Sequence, residues 1–372
     1  MTAQGHPYGI HFAVGLQPAP TLTDHDRKLL EALRPAGIIL FKPNFAQGES
    51  YDTWLETLRH LLADVRACIG RERLLIGIDH EGGRVVRAPP PITHYAYARA
   101  WADQAGAVGK AMAVELRSLG MNTTFAPVVD VHSNPDNPVI GARAFANTPE
   151  EVTRAALAFI KAAEAEGLAT CPKHFPGHGD TAIDSHHGLP VVAYGLDELR
   201  QRELLPFKAT IDAGVRMIMT SHILFPKIDA DVPATMSRRI ITDVLRGELG
   251  FGGTVVTDDI GMGAVRDMFD HADAAEKMIN AGTDIIDICA YGTDTMRALE
   301  IADFIAAGVK AGRIDRSTVA ASAERINALL ETLPQYQVEK LPAEVFREHA
   351  RVAPLDEAAV AGTGTWKERR NE

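Results

Sequence analysis

The chain of 372 residues carries 38 Lys and Arg against 49 Asp and Glu, a net charge of −11. That balance opposes a sequence-independent grip on nucleic acid, which needs a basic footprint, and it disfavours an anionic membrane surface as partner. With 46% hydrophobic and 23% charged residues, the composition is that of a globular chain rather than a disordered one, long enough for one large barrel or two ordinary domains.

The first twenty residues lack a basic segment followed by a long apolar core, so no secretory signal is expected. No apolar run approaches the roughly 20 residues of a membrane span. Cys68, Cys171 and Cys289 are odd in number and far apart, which argues for reduced, buried thiols and a cytoplasmic protein.

Taken in chain order, short apolar runs alternate with segments of helical period. Residues 9–14 (GIHFAV) open as a strand, followed by a helical segment over 22–37 with Thr23 or Asp24 as N-cap and Pro35-Ala36-Gly37 as its stop. A strand at 37–41 precedes a helix over 50–70 ending at Gly70. Strands follow at 74–79, 122–131 and 168–173, with a helix over 156–167 before the last of these. A shaped loop from His174 to Tyr194 leads to a helix over 196–214. Strands at 215–222, 254–259 and 284–290 are separated and followed by helices over 236–250, capped by Ser237, and 295–312. A final helix spans 317–333. Several strands are apolar at nearly every position, as in a parallel sheet buried on both faces.

Eight such units point to an α/β fold of the (β/α)8 TIM-barrel type over residues 1–333, a single domain with an extended loop after strand 5. A doubly wound sheet is the competing architecture, but no Gly-x-Gly-x-x-Gly follows the first strand. Residues 334–372 read as a C-terminal tail with a short peripheral helix and a frayed end.

A barrel of this kind carries its chemistry at the C-terminal ends of its strands. The polar residues there are Lys42 and Asn44, Asp79-His80-Glu81, Asp130 and His132 with Arg143 further along, Lys173-His174, Ser221-His222, and Asp258-Asp259. The 173–190 segment holds four histidines and two aspartates. A metal site on them is disfavoured, because His-x-His on the first strand and an HExxH helix are both missing. Asp184 stands two residues before His186. In a tight loop the carboxylate would fix the imidazole tautomer and let it give and take a proton near neutral pH. Equally, the pair would simply stitch the loop together, and spacing does not decide. Asp258 ends a β-rich run, where a carboxylate facing the barrel mouth suits a nucleophile. Asp259 is expected to point elsewhere and cap a helix near Gly263.

Four blocks carry a resemblance to a known family. They are Gly77-Ile78-Asp79-His80-Glu81-Gly82-Gly83-Arg84-Val85, then Asn137 to Phe145 (NPVIGARAF), residues 173–190 (KHFPGHGDTAIDSHHGLP), and Val255 to Met262 (VVTDDIGM). In this order, over roughly residues 8–333, the chain resembles the family 3 glycoside hydrolases, specifically the single-domain bacterial β-N-acetylglucosaminidases (β-N-acetylhexosaminidases) of peptidoglycan recycling.

The resemblance implies a retaining enzyme that removes terminal N-acetylglucosamine through a covalent glycosyl-Asp258. His186, held by Asp184, would be the acid/base. Asp79, Arg87, Arg143, Lys173 and His174 would bind the terminal sugar. It implies no cofactor or metal, and a small N-acetylglucosamine-containing muropeptide as partner; oligomeric state stays open. His80 stands where the family commonly has Gln, and His187-Gly188 replaces a more apolar pair. The alternatives are a β-glucosidase or an N-acetylglucosaminide phosphorylase of the same family and, more distantly, a metal-dependent barrel hydrolase. Phosphorolysis comes into view because a histidine acid/base does not repel an anionic acceptor.

Overall fold

The computed structural model describes residues 5–182, 188–289 and 293–355. Eight strands run β1 (Phe12–Gly15), β2 (Gly37–Leu40), β3 (Leu75–Ile78), β4 (Thr123–Thr124), β5 (Ala169–Thr170), β6 (Met217–Met219), β7 (Thr254–Val256) and β8 (Ile286–Ile288). Six of them form one parallel sheet in the order β5-β4-β3-β2-β1-β8, and β6 pairs with β7. Parallel bridges Phe175–Thr220 and Val256–Ile285 join the two pieces on both sides, so the eight strands complete the ring of a (β/α)8 barrel.

The helices are α1 (Asp24–Leu33), α2 (Tyr51–Ile69), α3 (Ala105–Ser118), α4 (Pro149–Ala165), α5 (Leu196–Gln201), α6 (Leu204–Asp212), a π-type helix over Arg239–Glu248, α7 (Ala272–Ala281), α8 (Arg297–Lys310), α9 (Arg316–Thr332) and α10 (Ala343–His349). Thr23 is the cap of α1, in a reciprocal capping box with Asp26. Thr148 and Pro149 start α4 seven residues before the sequence expectation. The expected helix over 196–214 is two helices. Pro206 in a continuous helix would strike the carbonyl of Arg202, and the chain breaks there, with Arg202 at φ −139°. The sequence pattern named no helix for α3 or α7.

Strand side chains alternate between two cores. Ala13, Ile39, Leu75, Cys171, Met217, Val256 and Cys289 fill the barrel interior. Val14, Ile38, Ile76, Ile218, Val255 and Ile288 face the helices. Ile326, Leu329 and Leu330 of α9 join the interior cluster and stopper one end. At that end Asp284 takes Arg246 and Arg325 at 2.6 and 2.7 Å.

Residues 334–355 run along α2 and α3. The Val338 backbone bridges Leu119, Phe346 meets Tyr51 edge-on at 5.6 Å, and the His349 carbonyl accepts from the Tyr95 hydroxyl at 2.8 Å. Glu115 of α3 sits under this strap, 1% exposed. It accepts from the Thr93 backbone and hydroxyl, both at 2.6 Å, and pairs with His349 Nδ1 at 2.7 Å. Replacing Glu115 with Ala leaves the Thr93 amide without its partner in a buried place, at a cost of about 1–3 kcal/mol. Hydrogen exchange over residues 343–349 and a thermal melt would both show the loosening. No helix among the described residues is long and apolar enough to cross a membrane.

Candidate active site

The polar strand ends gather at the opposite end from α9. The turn after β3 sets the first group. Gly82 and Gly83 adopt φ +94° and +55°, and a Cβ on Gly83 would lie 2.3 Å from the Tyr97 ring, so this close approach requires glycine. The turn places Asp79, half-buried, and Glu81, 5% exposed, on either side of Lys173. The Lys173 ammonium bonds Asp79 Oδ1 at 2.7 Å and Glu81 Oε1 at 2.6 Å. Glu81 also receives a fork from Arg143, whose Nε and a terminal nitrogen both reach it at 2.8 Å.

The charges justify one another. Burial alone would push the Glu81 carboxyl up, but Arg143 and Lys173 more than offset this and hold it well below the usual range. Burial works against the Lys173 ammonium too, yet Asp79 and Glu81 raise it to about 12. Arg143, raised chiefly by Glu81 against burial, stays charged. Arg87 lies at the edge of this cluster, 4.0 Å from Asp79 Oδ2, with its guanidinium 5.5 Å from the Phe41 ring centroid.

A second group comes from strands 4 and 5. Asp130, 0% exposed, accepts from the backbone of His174 and His178 at 3.2 and 2.7 Å and pairs with His174 Nδ1 at 2.7 Å. Burial raises the Asp130 carboxyl less than His174 and His178 lower it. His174 thus has one ring nitrogen fixed by a carboxylate, which orients the ring. His178 faces Thr181 at 2.9 Å, and burial lowers it to about 4. Among the described residues no three His, Cys, Asp or Glu side chains are grouped as they would be around one ion.

Asp258 stands half-buried just past β7. Its backbone N–H donates to the Thr220 carbonyl at 3.2 Å, and its Oδ1 accepts from the Asp259 amide at 2.9 Å. Asp79 and Asp258 each follow the C-terminal end of a parallel strand, β3 and β7, so the two carboxylates share one end of the barrel. Asp259 does not cap a helix. Its Oδ1 accepts from Gly261 and Cys289 amides, each at 2.9 Å, and ties the turn to β8. His80 is 1% exposed, and burial lowers its ring to about 4, with His94 and Arg87 nearby.

The site therefore brings together Asp79, Lys173 and Arg143 through Glu81, places Arg87 beside them, and sets His174 on Asp130. Asp184 and His186 lie outside the described residues. A family profile described as "Glycosyl hydrolase family 3 N terminal domain" matches residues 14–329. The chain belongs to glycosyl hydrolase family 3.

Other members share most of this chain. A beta-hexosaminidase of Methylococcus capsulatus is 38% identical over 328 residues, 83% of this chain and 95% of that protein. Beta-hexosaminidase A of Pseudoalteromonas piscicida is 40% identical over 286 residues, covering 70% of this chain; the match spans 48% of its own length. The crystal structure of NagZ from Neisseria gonorrhoeae in complex with N-trifluoroacetyl-D-glucosamine superposes with a TM-score of 0.70 at 28% identity, over 97% of this chain and all of that one. Membership makes the chain a glycoside hydrolase. The residues that sequence reasoning left out of the sugar-binding set are Glu81 and Asp130. Both were visible as strand-end carboxylates, but nothing in the sequence showed that each organises cationic or imidazole side chains.

Proposed function

We propose that this chain is a retaining exo-β-N-acetylglucosaminidase acting on the non-reducing N-acetylglucosamine of cytoplasmic muropeptide fragments. The observation that carries this reading is the placement of a half-buried carboxylate, Asp258, at the barrel end that also holds the fixed Asp79–Lys173–Glu81–Arg143 array. The hexosaminidase names of the relatives support the same sugar.

In this reading Asp79, Lys173, Arg143, Arg87 and His174 form the pocket for the terminal sugar. Asp79 and Lys173 offer hydroxyl-binding groups already oriented by each other, so little ordering is left for binding. Asp258 attacks the anomeric carbon while His186, supported by Asp184, protonates the leaving oxygen. Water then attacks the glycosyl-enzyme, with His186 taking its proton. This His–Asp dyad replaces one carboxylic acid of the usual glycosidase pair.

The test compares aryl β-N-acetylglucosaminide with aryl β-glucoside. Turnover of the first should lead by roughly 10²-fold or more in kcat/KM, because buried polar groups left unpaired reject a sugar lacking its partner group. Faster turnover of the glucoside would overturn the assignment. A muropeptide disaccharide should release free N-acetylglucosamine; in phosphate buffer, sugar 1-phosphate as the product would instead mark a phosphorylase.

A further inference from the structure

Tyr95 stands between the C-terminal strap and the turn that carries Asp79 and Glu81. It is 2% exposed and takes no part in the chemistry above. On one side its hydroxyl donates to the His349 carbonyl at 2.8 Å. On the other its carbonyl accepts from the Gly83 amide, also at 2.8 Å. Ala96 repeats the arrangement. Its amide donates to the Pro354 carbonyl at 3.0 Å, and a Cβ on Gly82 would lie 2.5 Å from the Ala96 carbonyl oxygen. Trp101 Nε1 donates to that same oxygen at 2.7 Å. The glycine turn therefore rests on residues 95 and 96, and residues 349–354 lie directly behind them.

We propose that the strap aims the sugar-binding turn, with Tyr95 as the positioning residue that joins the two. The inference rests on the reading of Asp79 as a sugar-binding group.

The strap can brace the turn because it is itself tied down on both flanks of β3. Helix α2 precedes that strand and α3 follows it. On the α2 side the Tyr51 hydroxyl accepts from the Leu341 amide at 3.1 Å, and Arg59 donates to the Val338 carbonyl at 3.1 Å. On the α3 side the Glu339 amide donates to the Ser118 carbonyl at 2.7 Å. Glu115 then joins His349 to Thr93, two residues before Tyr95.

The turn has little room to drift. Lys173 bonds Asp79 at 2.7 Å and Glu81 at 2.6 Å, so a small shift of the turn strains both bonds at once. Groups that touch a ligand keep their geometry only when their neighbours lock them. Freed from the strap, the turn would spread over several positions, and each sugar that binds would have to gather it again. That cost falls on the bound ground state and the transition state alike, so it raises KM and spares kcat.

Tyr95→Phe keeps the ring and removes the hydroxyl, and with it the bond to His349. The His349 carbonyl retains the Val352 amide at 3.0 Å, so no buried acceptor is stranded. KM for an aryl β-N-acetylglucosaminide and the dissociation constant of N-acetylglucosamine should rise together by about three- to tenfold, the weight of one hydrogen bond. The value of kcat should stay within about twofold of the parent. Phe346→Ala loosens the strap from Tyr51 and should act in the same direction. Phe346→Leu, which refills the place, should restore most of the affinity. Leu329→Ala is the control, since it empties a buried position in α9 at the other end of the barrel. It should lower the melting temperature and leave KM unchanged.

An unchanged KM in both Tyr95→Phe and Phe346→Ala, or an equal rise in Leu329→Ala, would overturn the inference. Hydrogen exchange of the amides of residues 79–85 reads the brace without any substrate. It should speed up in Tyr95→Phe and Phe346→Ala and stay at the parent rate in Leu329→Ala. A parent enzyme that neither cleaves nor binds the sugar rejects the reading of Asp79, and exchange then decides the brace by itself: faster exchange sustains it, and unchanged exchange rejects it.

Discussion

Asp258→Ala should lower kcat on aryl β-N-acetylglucosaminides by about 10⁴- to 10⁶-fold, the scale seen when a nucleophile is removed from a catalytic set. The fold should survive, because Asp258 is half-buried at a strand end and its backbone N–H keeps its bond to the Thr220 carbonyl. Sugar binding should also remain measurable, since the Asp79–Lys173–Glu81–Arg143 array contains no atom of Asp258. The useful check is a kinetic split: loss in kcat with a retained sugar dissociation constant. Small nucleophiles such as azide, added to the truncated site, should restore some turnover by occupying the space of the lost carboxylate. Undiminished turnover would remove Asp258 from the mechanism.

The barrel was legible because its strands are short, apolar and regularly spaced. Seven of the strand runs found in the sequence contain the strand observed, and the first, 9–14, stops one residue short of the end of β1 at Gly15. What escaped was the helix pattern where small residues pack closely. In α3 the buried set runs from Ala105 through Val108, Gly109, Met112, Ala113 and Leu116, so no polar face stands against an apolar stripe. A Cβ on Gly109 would come 2.7 Å from the Phe159 carbonyl. The close α3–α4 approach explains the small residues, and a single sequence cannot reveal it. Glu115 added to the difficulty, since a glutamate in a helix reads as surface until its three partners are seen.

The site was legible as a set of strand ends but not as a network. Asp79, Lys173 and Arg143 are up to 94 positions apart and meet only because β3, β4 and β5 are neighbours. Their organiser, Glu81, belongs to the same block as Asp79, yet its role depends on a turn whose left-handed glycines aim it inward.

Glu81→Ala should be the most damaging change to stability in the site. Glu81 is 5% exposed, and its removal takes the two-pronged partner from Arg143 and one of two carboxylates from Lys173. Breaking a buried ion pair by deleting one side costs about 3–5 kcal/mol, because the remaining charge is left uncompensated. The Val139 carbonyl, which Arg143 also reaches at 3.4 Å, is a weak substitute for a carboxylate. Adding Arg143→Met should recover part of the loss by removing the stranded cation, so the double variant should be less unstable than the sum of the two changes. The pH dependence has a defined sign. The Glu81 carboxyl is held below its unfolded value, about 4.3, so its contribution is complete above that value and is lost as pH falls toward the folded one. Denaturant melts at pH 7 and pH 3 should therefore show the gap between parent and Glu81→Ala narrowing in acid. A gap that stays constant would mean that packing, and not charge, accounts for the loss.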